Sequence, residues 1–576
     1  MRPTRLYAIA ILLLVIISLA FGAAFAPSNS FIDALSVRAQ ILDSGGALTA
    51  KIGEMGEPTF IHFDMTSELP VLSAEQRAFL EQIEGRGPLP HAFPLPVGDT
   101  AVQRADSAVD ANTETIESNG QEMNLPEAPS VPGSFTLFRN VDYGATIKAN
   151  TSGLTGEPAA ANSGPIVFST GNWWAAISRD GGQSFSIINP YTMFPASYGG
   201  FCCDQMTVYD PSRDIFIWSL QYIASTPGGI GHNLFRIAVA QPQDALQGNW
   251  WYYDFHSADN TEWDYPDLCL SNDFVYYTTN RGTYSSGLVN NSFIFRIPLD
   301  PIATHSGFSY DFIDSGGSGL GNLSWRCAQG ARDTAYFASH NTLSQVRIIN
   351  WVENSGSFAW NDVNLSAVWP NAARICPTPD GQDWCGFDDG RIKTGWVGRG
   401  MIGFMWNASA SPGGDPFPAP YVEAVRVRES DRLYIDRPLI WNESLAFQYP
   451  AAGVNVRGDV SIVVHNSSPS RYPAFDVGID DDYSRDAGYG PPGWEIYLVR
   501  QGTQGPSSNR WGDYFTVAPF QPNGLGWVAT GTTMQGCGGV GCKETRYMLF
   551  GRERDLRGIQ KYYSPSFNVS SPLIVR

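Results

Sequence analysis

The feature that most constrains this chain is a repeat. From about residue 140 onward, similar openings recur at Glu157-Pro158, Asp204-Gln205, Tyr265-Pro266, Trp325-Arg326, Trp396-Val397, Tyr449-Pro450 and Trp511-Gly512. Their spacing averages about 60 residues, and each opening leads into a run that reads as a β-strand. Tyr265 to Asn280 is the clearest: strand, turn, strand. Asp204 to Tyr222 and Tyr449 to Asn466 follow the same scheme. Composition agrees, with 59 Gly, 39 Pro, 13% aromatic and only 16% charged residues. Short apolar runs punctuated by Gly, Pro, Asn and Asp are strands, not helices. Repetition at this scale, with four strands per unit, predicts an all-β chain forming a β-propeller over residues 136–576. Seven units fit best, and six or eight also fit. The run Leu573-Ile-Val575 is expected to pair with the first unit and close the ring.

Ser178-Arg-Asp-Gly-Gly-Gln-Ser-Phe185 fits the pattern Ser-x-Asp-x-Gly-x-x-aromatic without a gap. Ser178 and Asp180 can bond the backbone of their own turn. Gly181 and Gly182 supply positive φ, and Phe185 returns the chain to the core. On this motif the chain resembles the Asp-box, or BNR-repeat, sialidase-like β-propeller superfamily. The resemblance implies a propeller, a hairpin turn between outer strands at Ser178, Asp180, Gly182 and Phe185, and glycan chemistry. In that family a Tyr nucleophile is activated by a Glu, with an Asp as acid/base. Tyr514, Glu262 and Asp264 or Asp267 could form such a set here.

Phe295-Arg-Ile-Pro298 spells the family's arginine motif, but its position argues otherwise. Phe235-Arg-Ile237, Ala424-Val-Arg-Val427 and Thr545-Arg-Tyr547 recur at similar offsets within their units. The run is therefore read as a third strand, with Arg on one face and apolar neighbours on the other.

Arg2 and Arg5 precede an apolar run from Leu6 to about Ala26, which reads as a signal peptide or, if uncleaved, a signal anchor. Both readings export the rest of the chain, to a secreted or cell-surface location. Residues 27–85 read as a small pro-region, a stalk or a wrap around the main domain, with a short helix over Ser73 to Gly85. Residues 86–135 are a Pro/Ala/acidic linker. Eight Cys in an exported chain suit disulfides. Cys376–Cys385 and Cys537–Cys542 are the local pairs expected, and the pairing of Cys202, Cys203, Cys269 and Cys327 stays open. A net charge of −19 disfavours nucleic acid, and membrane contact is expected only through the N-terminal segment.

In a propeller, ligands bind over the central channel, lined by the openings of the innermost strands. This places Asp204, Trp263, Tyr265, Arg326, Arg399, Trp511 and Asp513 as ligand-binding candidates. Glu262, Asp264, Asp267 and Tyr514 are the catalytic ones. Aromatic faces stack on sugars, and acids and Arg orient hydroxyls or carboxylates. No cofactor is expected; Asp480, Asp482 and Asp486 are the one set that could hold Ca²⁺. Binding of an extracellular glycan or protein is the first functional reading. A sialidase-like glycoside hydrolase is the second, and a structural propeller in an extracellular assembly the third.

Overall fold

The computed structural model describes residues 42–65, 135–143, 156–223 and 232–555 apart from short loop segments, together with positions 78 and 559. The apolar N-terminal run, the expected helix over 73–85, the linker, the Cys537–Cys542 pair and the run at 573–575 lie outside the described residues.

The described chain is almost entirely antiparallel sheet. Among the described residues the strands form six sheets; the ten-stranded one divides at the parallel contact between Arg326–Gln329 and Ile392–Gly398, which gives seven groups of four strands or more in chain order. Their innermost strands are Ala159–Ser163, Phe201–Asp210, Thr261–Leu270, Arg326–Gln329, Ile392–Gly398, Ala446–Val454 and Val517–Pro519. Each innermost strand adjoins the next, and the last adjoins the first. Those of the fourth and fifth units run parallel, Ala328 opposite Gly395.

Packing follows the same circuit. Seven hydrophobic clusters are present among the described residues, each shared by two neighbouring units. The one holding Tyr143, Trp174, Val528 and Tyr547 joins the seventh unit to the first. A sheet packed on both faces needs apolar side chains on both. Ile215–Tyr222 is accordingly buried at every position.

Two segments of the chain's first quarter complete outer edges. Phe135–Asp142 pairs with Gly541–Arg552 and supplies the outer strand of the seventh unit. Leu42–Thr49, Lys51–Met55 and Thr59–His62 add a fifth strand to the fourth, third and second units in turn. Residues 42–62 thus wrap the outside of three units. Their edges would otherwise expose unpaired N–H and C=O groups.

Arg296 has the structural role that its repeated position predicts. It lies on Leu288–Pro298, directly opposite Asp311 of the next strand, with Nη2 2.5 Å from Oδ2. Its guanidinium lies 4.4 Å from the Trp351 ring of the following unit. Arg236–Asp254, Arg347–Asp362 and Arg426–Asp436 are the same cross-strand pair in three other units.

The turn at Ser178–Phe185 links the third and fourth strands of the first unit. The Asp180 carboxylate accepts from Gln183 N and Ser184 N, both at 2.9 Å, and from Ser184 Oγ at 2.5 Å. Ser178 Oγ accepts from Gly182 N at 2.9 Å. Gly182 has φ +78, and a Cβ there would meet the Tyr547 ring of the seventh unit at 2.2 Å. Partial burial opposes the Asp180 charge, but the bonds from Ser184, Ser178 and Gln183 outweigh it and hold the carboxyl below its usual range. Asp180→Ala is expected to cost about 1–2 kcal/mol by chemical denaturation. A lowered folded pKa means that this contribution is present above the carboxylate range and lost as pH falls through it. The gap between wild type and variant should therefore narrow in acid.

Candidate functional site

Some innermost strands are irregular near their starts. In the third unit, Tyr265-Pro266 bulges out between the paired residues Asp264 and Asp267. In the sixth, Tyr449-Pro450 does the same between Gln448 and Ala451. Glu157-Pro158 immediately precedes the first strand of the first unit. Glu157, Tyr265 and Tyr449 share positive φ values of 24, 64 and 56. The residue after each is Pro, whose ring cannot join the ladder, so the strand yields there and turns the preceding side chain.

Four carboxyls meet at the starts of the first, second, third and seventh units: Glu157, Asp204, Asp264 and Asp513. Glu157 Oε1 accepts from Asp513 N at 2.8 Å. Asp264 Oδ1 accepts from Gln221 Nε2 at 3.1 Å. Asp204 is 8% exposed. Burial, then the neighbouring Glu157, Asp264 and Asp513, and then a hydrogen bond with Glu157 raise its pKa well above the ordinary carboxyl value. Burial and its carboxyl neighbours thus favour the neutral form of Asp204. Like charges this close cannot all ionise.

Cations from the fourth and fifth units border this acidic group. Arg326 is fully buried, donates from Nη1 to Pro266 O at 2.5 Å, and lies 3.9 Å from the Tyr265 ring. Arg391 covers the same ring at 4.6 Å and pairs with Asp389 at 2.5 Å. Lys393 Nζ sits 2.9 Å from Asp388 and 5.5 Å from the Tyr449 ring. Burial works against the charge on all three. Tyr265 and Asp267 offset it for Arg326, Asp389 and Tyr265 for Arg391, and Asp388 and Tyr265 for Lys393, so each stays firmly protonated. Asp513 contributes to all three and also to Asp204, which puts the acidic and basic groups within one field. The mouth is thus divided by charge, with Tyr265 sandwiched on its basic side.

Of the residues expected from sequence, Asp204, Asp264, Tyr265, Arg326 and Asp513 come together here. Glu262 lies half-buried on the strand edge opposite Gly282. The others have different tasks. Trp263 packs on Phe235 and Phe295, between the second and third units. Trp511 is fully buried against Trp384, with ring centroids 5.0 Å apart. Both indoles are buried in the packing. Arg399 sits beyond the far end of its strand, on Asp459.

Asp267 accepts from Leu268 N and Cys327 N, both at 3.0 Å, and so ties the third unit to the fourth. The Tyr514 hydroxyl accepts from Gln205 N at 3.1 Å and donates to Gln205 O at 3.3 Å. Burial, with Asp204 and Glu157 nearby, keeps it protonated. The hydroxyl is thus held on the Gln205 backbone. Among the calcium candidates, Asp480 pairs with Arg485 at 2.8 Å and Asp482 with Arg554 at 2.6 Å; the Asp486 side chain lies outside the described residues.

Glu157, Arg391 and Lys393 escape the sequence reading. Glu157 had a readable signal, the residue-Pro opening that it shares with Tyr265 and Tyr449. The basic pair did not, because Trp396 marks the fifth unit four residues too late.

Among the described residues, three disulfides join Cys202 to Cys203, Cys269 to Cys327, and Cys376 to Cys385. The second crosslinks the innermost strands of the third and fourth units.

No family model matches this chain, and no curated protein matches it. Solved structures do. The phage phi92 endosialidase is 9% identical, with 75% of this chain and 71% of that one covered and a TM-score of 0.37. An α-L-arabinanase of Penicillium chrysogenum is 10% identical, covering 73% and 99%, with a TM-score of 0.32. The Trypanosoma rangeli sialidase is 8% identical, covering 63% and 56%, with a TM-score of 0.31.

Proposed function

We propose that this chain is an exported seven-bladed propeller that binds an acidic glycan over its axis and hydrolyses a glycosidic bond. The observation that carries the reading is Asp204. Burial and the neighbouring Glu157, Asp264 and Asp513 raise its pKa, beside a wall of Arg326, Arg391 and Lys393. Glycoside hydrolysis needs a carboxylic acid that retains its proton near neutral pH and a second carboxyl to assist water. Asp204 fits the first role. Asp264 and Asp513, both half-exposed, fit the second. The cations suit a carboxylate or sulfate on the sugar. The three disulfides favour an oxidising, extracellular setting.

The locked Tyr514 hydroxyl argues against a tyrosine nucleophile and leaves pure binding as the second reading. Release of reducing ends from sialic acid-, uronate- and sulfate-bearing oligosaccharides, measured beside equilibrium binding to the same set, tests both. Binding with hydrolysis supports the enzyme, and binding alone the recognition module. Absence of both removes the axial site. Arg391→Ala is expected to weaken binding of the acidic oligosaccharide about tenfold or more, the scale of one lost charge-assisted hydrogen bond.

A further inference from the structure

The Cys202–Cys203 disulfide adjoins Asp204, and the proposed reaction gives it no task. Phe201 pairs with Tyr222 and Gln205 with Leu220, so three residues, Cys202, Cys203 and Asp204, face Gln221 alone. Asp204 thus projects from an unpaired bulge. The bulge is anchored at both ends. On one side, Tyr191 Oη donates to Cys202 O at 3.1 Å. On the other, Gln205 Nε2 donates to Gly171 O at 2.6 Å and Trp174 O at 3.1 Å, while its Oε1 accepts from Trp218 Nε1 at 3.0 Å. Gln221, opposite the bulge, reaches Asp264. The first, third and sixth units carry Pro158, Pro266 and Pro450 at their openings, where the pyrrolidine ring fixes φ. The second unit has no Pro between Phe201 and Gln205.

We propose that the disulfide between the adjacent Cys202 and Cys203 takes the place of that proline: it closes a small ring around one peptide unit and positions Asp204 against Glu157. Cys202 and Cys203 are then positioning residues, not catalytic ones. The inference rests on reading Asp204 as the axial acid. Opening the bond requires a dithiol. The S–S bond breaks, two electrons and two protons pass to Cys202 and Cys203, and the dithiol leaves as its own disulfide. The freed bulge lets Asp204 move away from Glu157.

Carbodiimide coupling of an amine, read at the Asp204 peptide by mass spectrometry, labels the protonated carboxyl and needs no substrate. In the oxidised protein, Asp204 should label at a pH where exposed carboxylates do not. In C202A/C203A, and in wild type after dithiol treatment with both thiols counted, the labelling midpoint should fall by at least one pH unit. Iodoacetamide-blocked, reduced protein supplies the measurement if the double variant does not fold. An unchanged midpoint in fully reduced protein overturns the proposal. A shifted midpoint with no hydrolysis of any oligosaccharide keeps the positioning role and removes the hydrolase reading. Hydrolysis with an unchanged midpoint does the reverse.

Discussion

Asp204→Asn is expected to lower hydrolysis by at least ~100-fold, the usual scale for losing a positioned acid, and to raise the stability of the protein at neutral and alkaline pH. The two effects have one cause. Burial, and then the carboxyls of Glu157, Asp264 and Asp513, push the Asp204 pKa well up in the folded chain. The folded state therefore holds this proton more tightly than the unfolded state does. Its contribution is complete below the unfolded carboxyl pKa and is lost as pH rises through the folded value. Asn is neutral throughout and preserves the shape, so the variant escapes that loss. Thermal unfolding at pH 5 and pH 8 should show the variant's advantage widening toward pH 8. An equal gap at both pH values would mean that Asp204 has no raised pKa, and the case for it as the acid would fail. A site that buries a carboxyl among other carboxyls is destabilised locally, as functional sites often are.

How far the sequence discloses this arrangement depends on the kind of contact. The repeat is readable because Pro or aromatic residues mark all but one of the units' starts, and because the Ser178–Phe185 turn carries its own hydrogen-bonding logic. The fate of a given aromatic is not readable. Strands buried on both faces have no polar side to set their orientation, so Trp263 and Trp511 look as available as Tyr265. Only the backbone bulge at Tyr265-Pro266 separates them. The wrap of residues 42–62, one of three readings open for residues 27–85, is not singled out by the sequence for the opposite reason. Lys51–Met55 and Thr59–His62 leave most side chains exposed and gain their place through main-chain pairing, which leaves little trace in composition. Axial geometry is the least legible of all. Glu157 and Asp204 are distant in sequence from Asp513, and closure of the ring is what brings them together.

Arg236→Ala is expected to destabilise the protein by about 3–5 kcal/mol, the cost of breaking a buried ion pair from one side. The Arg236 side chain is fully buried; Nε and Nη2 meet Asp254 at 2.6 and 2.8 Å, and Nη1 donates to Tyr222 Oη at 2.6 Å. The guanidinium also lies 4.0 Å from the Tyr252 ring. Alanine strands the Asp254 carboxylate and leaves the rings of Phe194, Tyr222 and Tyr252 around a void. Arg428→Ala supplies the contrast: its pair with Asp431 is exposed, and its loss should cost under about 1 kcal/mol. Arg236→Met with Asp254→Leu separates two accounts of the buried pair. If the pair only offsets its own desolvation, the apolar double variant should recover most of the denaturation midpoint. The recurrence of Arg opposite Asp in four units suggests what the variant would still lack. A one-residue slip of the fourth strand would turn each carboxylate into the apolar cluster between units. The double variant, free of that penalty, should refold with a larger misfolded fraction than wild type even where its midpoint is restored. Equal refolding yields would assign the pair to stability alone.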